Sequence, residues 1–393
     1  MKISNVYIGG WFQRTMLQLT EIYDFVKDCK TQLNLDAEKL KEHRKNLNIG
    51  KIDYHISGEE FITITTAENI IIKVFEDGLI TLNKTDASVN TLLADIDKLT
   101  DYYDNRLSPA IGYLFSLGAP VPKELANIKT IFPYFVVCED SNRDEIMDML
   151  SQTDRQKYYE SVNEKYDVVR GDKFYFINNK QKTTSTTIER YVEEQIFIRE
   201  FKGQLHRYLN MHRIVWEKID DVKLNANVKG SDIVKFNTKL DGYAKTINLI
   251  DCRIAQMSTY VNTREKIAKN DPELQEFLAV SGYKYETLRN TLTYIQSLWG
   301  MTKNHVSSAQ KLFSGLKSDV TSRSVKSLTI VTSMTAGASI IDLFTKSQPK
   351  LSWFGLIYFV VLVIIGWGST KLLNVISQKR TYKISDSDFD NNI

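Results

Sequence analysis

Residues 328–344, LTIVTSMTAGASIIDLF, and 351–373, LSWFGLIYFVVLVIIGWGSTKLL, lie near the end of the chain, and their reading decides the fold. The second run carries no charge before Lys371, places Trp353, Tyr358 and Trp367 as interface-type aromatics, and has the length that a bilayer demands. The first run is shorter, about 26 Å at the usual helical rise, and Thr329, Thr332, Ser333, Thr335, Ser339 and Asp342 dilute it. A polar stripe turned toward a bundle interior or water is how such residues are tolerated in lipid. The expectation is therefore two transmembrane helices, about 328–344 and 351–373, within a membrane region 327–374. Lys311, Lys317, Arg323 and Lys326 precede the first run, and Lys371, Lys379, Arg380 and Lys383 close the second. By the positive-inside rule this predicts a multi-pass protein of the inner or plasma membrane with both termini cytoplasmic. The lipid bilayer is then an expected partner, and 375–393 a cytosolic tail whose Asp386, Asp388 and Asp390 read as a flexible end.

Upstream, 183–326 reads as a helical stalk, because apolar residues recur at alternating spacings of three and four, the pattern of a helix seam. One seam runs Ile198, Phe201, Leu205, Tyr208, His212, Val215, Ile219, Val222. A second runs Phe236, Leu240, Tyr243, Ile247, Ile250, Ile254, Met257, Val261, with Ser231 as its expected N-cap. A third runs Leu288, Leu292, Ile295, Trp299, Thr302, Val306, Ala309, Phe313, Leu316, Val320, and no proline between Gly282 and Ser347 obliges a kink before the first apolar run. Such seams predict a long helical bundle or stalk, and since two spans cannot enclose a path by themselves, a homo-oligomeric ring that the seam helps assemble is expected if anything crosses the membrane.

The first part, 1–182, reads as an α+β cytosolic sensor domain. Phe61–Thr65, Asn69–Phe75 and Leu79–Leu82 are β-rich, with Asp77-Gly78 as a hairpin turn between the last two. A helical stretch, Ala87–Leu117, follows, and Ile131–Val137 and Lys173–Ile177 are further strands.

Lys+Arg 51 against Asp+Glu 48 gives a net charge of +3, too balanced to imply direct nucleic-acid binding. Three scattered cysteines, Cys29, Cys138 and Cys252, indicate neither a disulfide framework nor a zinc site. Met1–Gly10 lacks a basic region followed by an apolar core, so no cleavable secretion signal is expected.

In its order of parts the chain resembles the CorA superfamily of divalent-cation channels: a cytosolic α+β domain, a stalk helix entering the first span, a short outer loop and a second span. Val325-Lys326-Ser327-Leu328-Thr329-Ile330-Val331-Thr332 is similar to that family's entry into its first span. The family's Gly-Met-Asn is missing, its place being taken by Ile340-Ile341-Asp342-Leu343-Phe344. The resemblance implies a pentamer, and the missing motif points to the CorA-like branch associated with type III CRISPR immunity. That branch implies a membrane effector switched by a nucleotide second messenger. Alternatives are a magnesium-like divalent-cation transporter, selecting through Asp342 and the Ser/Thr stripe of the first run, and a membrane-tethered scaffold. Thr332, Thr335, Ser339 and Asp342 are the expected pore lining.

Among soluble-part features, none of the phosphate-loop, nucleophile-elbow or zinc-protease motifs occurs, and the five histidines show no ligand spacing, so no enzyme, catalytic residue or metal site is indicated. Two places suit an anion. Gly9-Gly10, read as the turn between a strand and a helix beginning near Trp11 with Arg14 in its first turn, offers backbone amides to phosphate. The face Arg199, Lys202, His206 and Arg213 offers cations at helical spacing.

Overall fold

In the computed structural model the chain is described over residues 1–345 except 14–17, 86, 116–132, 155, 163–164, 181–183, 224–226, 273 and 276–281; beyond 345 the description covers scattered positions between 353 and 375, and 381–383. It divides into two compact units, Met1–Asn210 with Leu249–Ser297, and Met211–Asn248 with Leu298–Ile393. These breaks differ from those expected at 182, 326 and 374.

The first unit is α+β. Its nine-stranded sheet has the order β2-β3-β4-β5-β1-β6-β9-β8-β7. The strands are β1 (Lys2–Trp11), β2 (Ile49–His55), β3 (Phe61–Thr66), β4 (Ile70–Phe75), β5 (Leu79–Thr85), β6 (Tyr134–Glu139), β7 (Lys157–Val162), β8 (Tyr166–Gly171) and β9 (Phe174–Asn179). All neighbours pair antiparallel except β6 and β9, which run parallel. The turn joining β4 to β5 is made at Gly78, whose φ of 92° and whose approach to the Phe12 carbonyl leave no room for a Cβ.

Alternation gives this sheet two different faces. One is aliphatic: Val6, Ile8, Ile62, Ile64, Ile72, Val74, Ile80, Leu82, Val136 and Phe176 are buried in one core with α1 (Leu19–Asp28), α2 (Ala37–Asn46), α3 (Leu92–Tyr102), α4 (Ser108–Phe115) and α5 (Arg143–Thr153). A single π-helical turn, Tyr103–Leu107, joins α3 to α4. The other face carries the odd residues of β1 and their register partners, and it is aromatic and polar. One continuous rung crosses it as Ile71, Asn83, Tyr7, Phe135, Tyr175, Arg170 and Tyr159. Against it lies α6 (Ser185–Lys223), with Trp11 packed on Phe197 at 5.9 Å and on Phe201 at 5.3 Å.

The seams are real. In α6, α7 (Gly230–Asn270) and α8 (Tyr283–Thr345) the buried residues include Phe201, Leu205, Tyr208, Leu240, Ile247, Ile254, Met257, Leu292, Ile295, Trp299 and Phe313. Ser231 falls inside α7, which starts at Gly230, so it is not the N-cap. In the second unit Phe236 meets Phe313 at 5.5 Å, the Gln310 amide donates to Asp241 at 2.8 Å, and His305 stacks on Trp216 at 4.2 Å while bonding Asp220 at 2.9 Å. His212, also there, packs on Trp299 at 5.9 Å, the packing role its seam position predicts. A two-stranded pair, β10 (Asn227–Lys229) with β11 (Thr381–Lys383), completes what is described of it.

The membrane expectation is overturned. Among the described residues no helix is long and apolar enough to cross a membrane. The run 328–344 is the end of α8, and most of its side chains lie outside the described residues; the run 351–373 lies almost wholly outside them. The fold class as expected, with two C-terminal transmembrane helices on a CorA-like plan, is corrected to an α+β unit with long helices. The inner- or plasma-membrane placement, with its cytoplasmic termini, falls with the spans.

Candidate anion-binding pocket

The sheet unit buries polar residues on a single helix at a density that globular interiors avoid. Glu193, Glu194, Gln195, Glu200 and Gln204 of α6 are all 5% exposed or less. Each needs a hydrogen-bond partner, and a glutamate without one must give up its charge. Glu193 accepts from Lys73 of β4 at 3.0 Å. Glu194 accepts from the Tyr285 hydroxyl and from Arg264 at 3.3 Å. Arg264 of α7, 2% exposed, also reaches Asp77 at 2.5 Å and Glu59 at 2.7 Å, and its guanidinium lies over Phe75 at 4.9 Å. Burial pushes the Glu193 and Glu194 carboxyls up to about 7 and that of Glu200 up to about 8, against the pull of the neighbouring cations.

Beside this acidic row lies a cavity of about 200 Å³ whose charge is all of one sign. Its floor is the sheet rung Phe135, Tyr175 and Arg170; its walls are Gln195, Ile198, Arg199 and Lys202 of α6 and Tyr283, Lys284, Thr287 and Leu288 of α8, with Pro133 at the edge. Among the described residues four cations line it and no carboxylate does. Helical spacing explains the arrangement: Gln195, Ile198, Arg199 and Lys202 share one stripe of α6. Phe135 and Tyr175 lie beneath with ring centroids 4.9 Å apart and planes tilted by 35°, while Tyr283 stands 67% exposed.

The donors in this cavity are not used up. Among the described residues Arg199 Nη1, Arg170 Nε and Gln195 Nε2 are buried without a hydrogen-bond partner, although Gln195 accepts from Lys284 Nζ at 2.8 Å. Orphaned buried donors are costly and rare in native structures. Burial, then Arg170, hold the Arg199 guanidinium below its ordinary value, though it stays charged at neutral pH. Burial, then Arg170, then Lys202, bring the Lys284 ammonium down to about 8. Glu200, the carboxyl beside Arg199, is largely protonated at pH 7 and offers little compensation.

Of the residues expected to bind an anion, Arg199 and Lys202 line this pocket. His206 is exposed on α6 and is not part of its lining, and Arg213, also exposed, belongs to the second unit. The Gly9-Gly10 expectation is corrected: both lie inside β1, opposite Thr81 and Ile80, so their amides serve the sheet rather than a helix start. What Gly9 does is admit α6, since a Cβ there would stand 3.1 Å from Ile196 and 2.5 Å from the Ile80 carbonyl. Arg14 lies outside the described residues. Thr332, Thr335, Ser339 and Asp342 all sit in α8; Thr332 is exposed there, and the side chains of the other three lie outside the described residues. Arg170, Gln195 and Lys284 were not anticipated. The signal for them was the strand pattern of β8 and the two residues just after Gly282, where a cation on a helix start reads as a solvated charge.

Among the described residues no group of three or more His, Cys, Asp or Glu is placed to hold a metal ion, so the divalent-cation alternative gains no site there. No protein-family model matches the chain, and no curated protein matches its sequence.

Proposed function

We propose that the sheet unit is a binding module for a small phosphate-bearing molecule, of the nucleotide class, and that the protein senses that ligand. The observation that carries the reading is the convergence of Arg170, Arg199, Lys202 and Lys284 on one cavity that, among the described residues, no carboxylate lines, with buried guanidinium donors there left unpaired. A phosphate supplies acceptor oxygens and negative charge at once, and charge-assisted bonds from guanidinium are the strong kind. The aromatic floor and the exposed Tyr283 give a flat ring something to stack on, which favours a nucleotide over inorganic phosphate. The reading keeps the expected nucleotide signal and drops its membrane output.

Calorimetric titration of the full-length protein with ATP, AMP, pyrophosphate and adenosine tests it. Phosphate-bearing ligands are expected to bind with affinity that falls as salt rises, and adenosine is not. Arg199→Gln should weaken binding about tenfold or more, at roughly 1.5–3 kcal/mol for a charge-assisted bond. Equal affinity of the wild type and Arg199→Gln, or no binding of any anion, overturns the reading.

A further inference from the structure

We infer that Lys284 is a reactive amine that forms an imine with phosphate-bearing aldehydes seated in the cationic pocket. The inference rests on the anion-binding reading of that pocket and adds a covalent step to it.

The geometry is specific to this lysine. Its Nζ bonds to a neutral amide oxygen, Gln195 Oε1, at 2.8 Å, whereas Lys73, Lys84 and Lys180 are each held by a carboxylate within 3.0 Å. Around it stand Arg170 of β8, Arg199 and Lys202 of α6 and the Tyr175 ring of β9, so every charged neighbour lining the cavity is positive. Burial and these cations bring its ammonium down to about 8. At pH 7.5 roughly a quarter of the amine is then unprotonated, against about one part in a thousand for an ordinary lysine. Desolvation and a neighbouring cation are a recognised way to make a lysine nucleophilic. The same cations that depress the ammonium also collect an anionic carbonyl compound next to it.

The step balances without an oxidant or reductant. The Nζ lone pair attacks the aldehyde carbon; a C–N bond forms, and the carbonyl π pair moves to oxygen, where Arg170 or Lys202 stabilises the charge until a proton arrives. Loss of that oxygen as water gives the protonated imine, a cation that replaces the original ammonium.

Pyridoxal 5′-phosphate is the probe, with unphosphorylated pyridoxal as its control. Full-length protein at pH 7.5 is treated with a substoichiometric amount of either, reduced with borohydride, digested and mapped by mass spectrometry, with and without excess pyrophosphate. The expected result is that Lys284 carries most of the phosphorylated adduct, at least tenfold above any other lysine, and that pyrophosphate suppresses it. Lys284→Arg, which preserves charge and removes the nucleophile, should abolish the labelling without moving it to another lysine. Labelling spread evenly over surface lysines in a protein that binds pyrophosphate overturns the inference and leaves the anion-binding reading intact. Equal labelling of Lys284 by both aldehydes, indifferent to pyrophosphate, keeps the reactive amine but removes the phosphate preference, and with it the proposal as stated.

Discussion

Replacing Lys284 with methionine should stabilise the protein. In the native state its ammonium falls from 10.5 to about 8, first through burial and then through Arg170 and Lys202. Between those two values the unfolded chain holds a proton that the native one has lost, so stability rises as pH climbs from about 8 to 10.5, and below 8 the full penalty is present. A shift of this size corresponds to about 3 kcal/mol. Methionine removes the charge and keeps the aliphatic stem; against that stands the lost bond to Gln195, about 1 kcal/mol. The net expectation is a gain of about 2 kcal/mol at pH 7, or about 4–8 °C in melting temperature for a unit of this size. Scanning calorimetry of wild type and Lys284→Met at pH 7 and pH 10 is the assay, with the difference between the variants expected to shrink at pH 10. A variant that melts at or below the wild-type temperature at pH 7, or a difference that does not change with pH, would refute the claim that the pocket stores repulsion in the absence of its ligand.

Three further outcomes follow from the buried charges and the tight approach of α6. Arg264→Met strands Asp77, Glu59 and Glu194, and should cost about 3–5 kcal/mol at pH 8 in urea denaturation, with part of the loss recovered at pH 5.5 as Glu194 takes a proton. Because the native Glu200 carboxyl is raised from 4.5 to about 8 by burial, the native state holds a proton the unfolded chain lacks in that window, and stability falls as pH rises through it. Glu200→Gln should flatten that slope, measured as urea midpoints at pH 5 and pH 8. Gly9→Val drives a side chain into Ile196 and the Ile80 carbonyl, and should cost about 1–3 kcal/mol, seen as faster amide exchange in β1 and in the facing stretch of α6.

Much of the sheet was legible because hydrophobic alternation is local. Phe61–Thr65, Asn69–Phe75 and Leu79–Leu82 were expected as strands, and β3, β4 and β5 stand there with the Asp77-Gly78 turn between the last two. The seams were legible for the same reason: residues such as Phe201, Ile254 and Trp299 repeat at helical spacing and are buried. Gly9-Gly10 misled because two glycines signal a turn, whereas the pressure on Gly9 comes from Ile196, far away in sequence. Half of the pocket was visible, since Arg199 and Lys202 lie one turn apart on one helix. Arg170 and Lys284 join them only through strand register and the return of α8 to the sheet, and neither leaves a local trace. The apolar run 328–344 continues the seam of α8 without a break, as the absence of proline there predicts.

The sheet unit is assembled from two separated stretches of chain, and this sets a timetable for its synthesis. All nine strands of the sheet have been made once Asn179 is joined, and the aliphatic face with α1 to α5 can close as soon as they clear the ribosome. Glu194 follows soon after, but its partner Tyr285 lies 91 residues further on. At about 5–20 residues per second that is a wait of roughly 5–18 s. During it α6 has no complete binding surface, because its buried carboxylates would meet the sheet without Arg264 or Tyr285. The nascent protein therefore passes through an interval with one face of its sheet finished and the other open, and it is in this interval that a chaperone would find its aromatic rung.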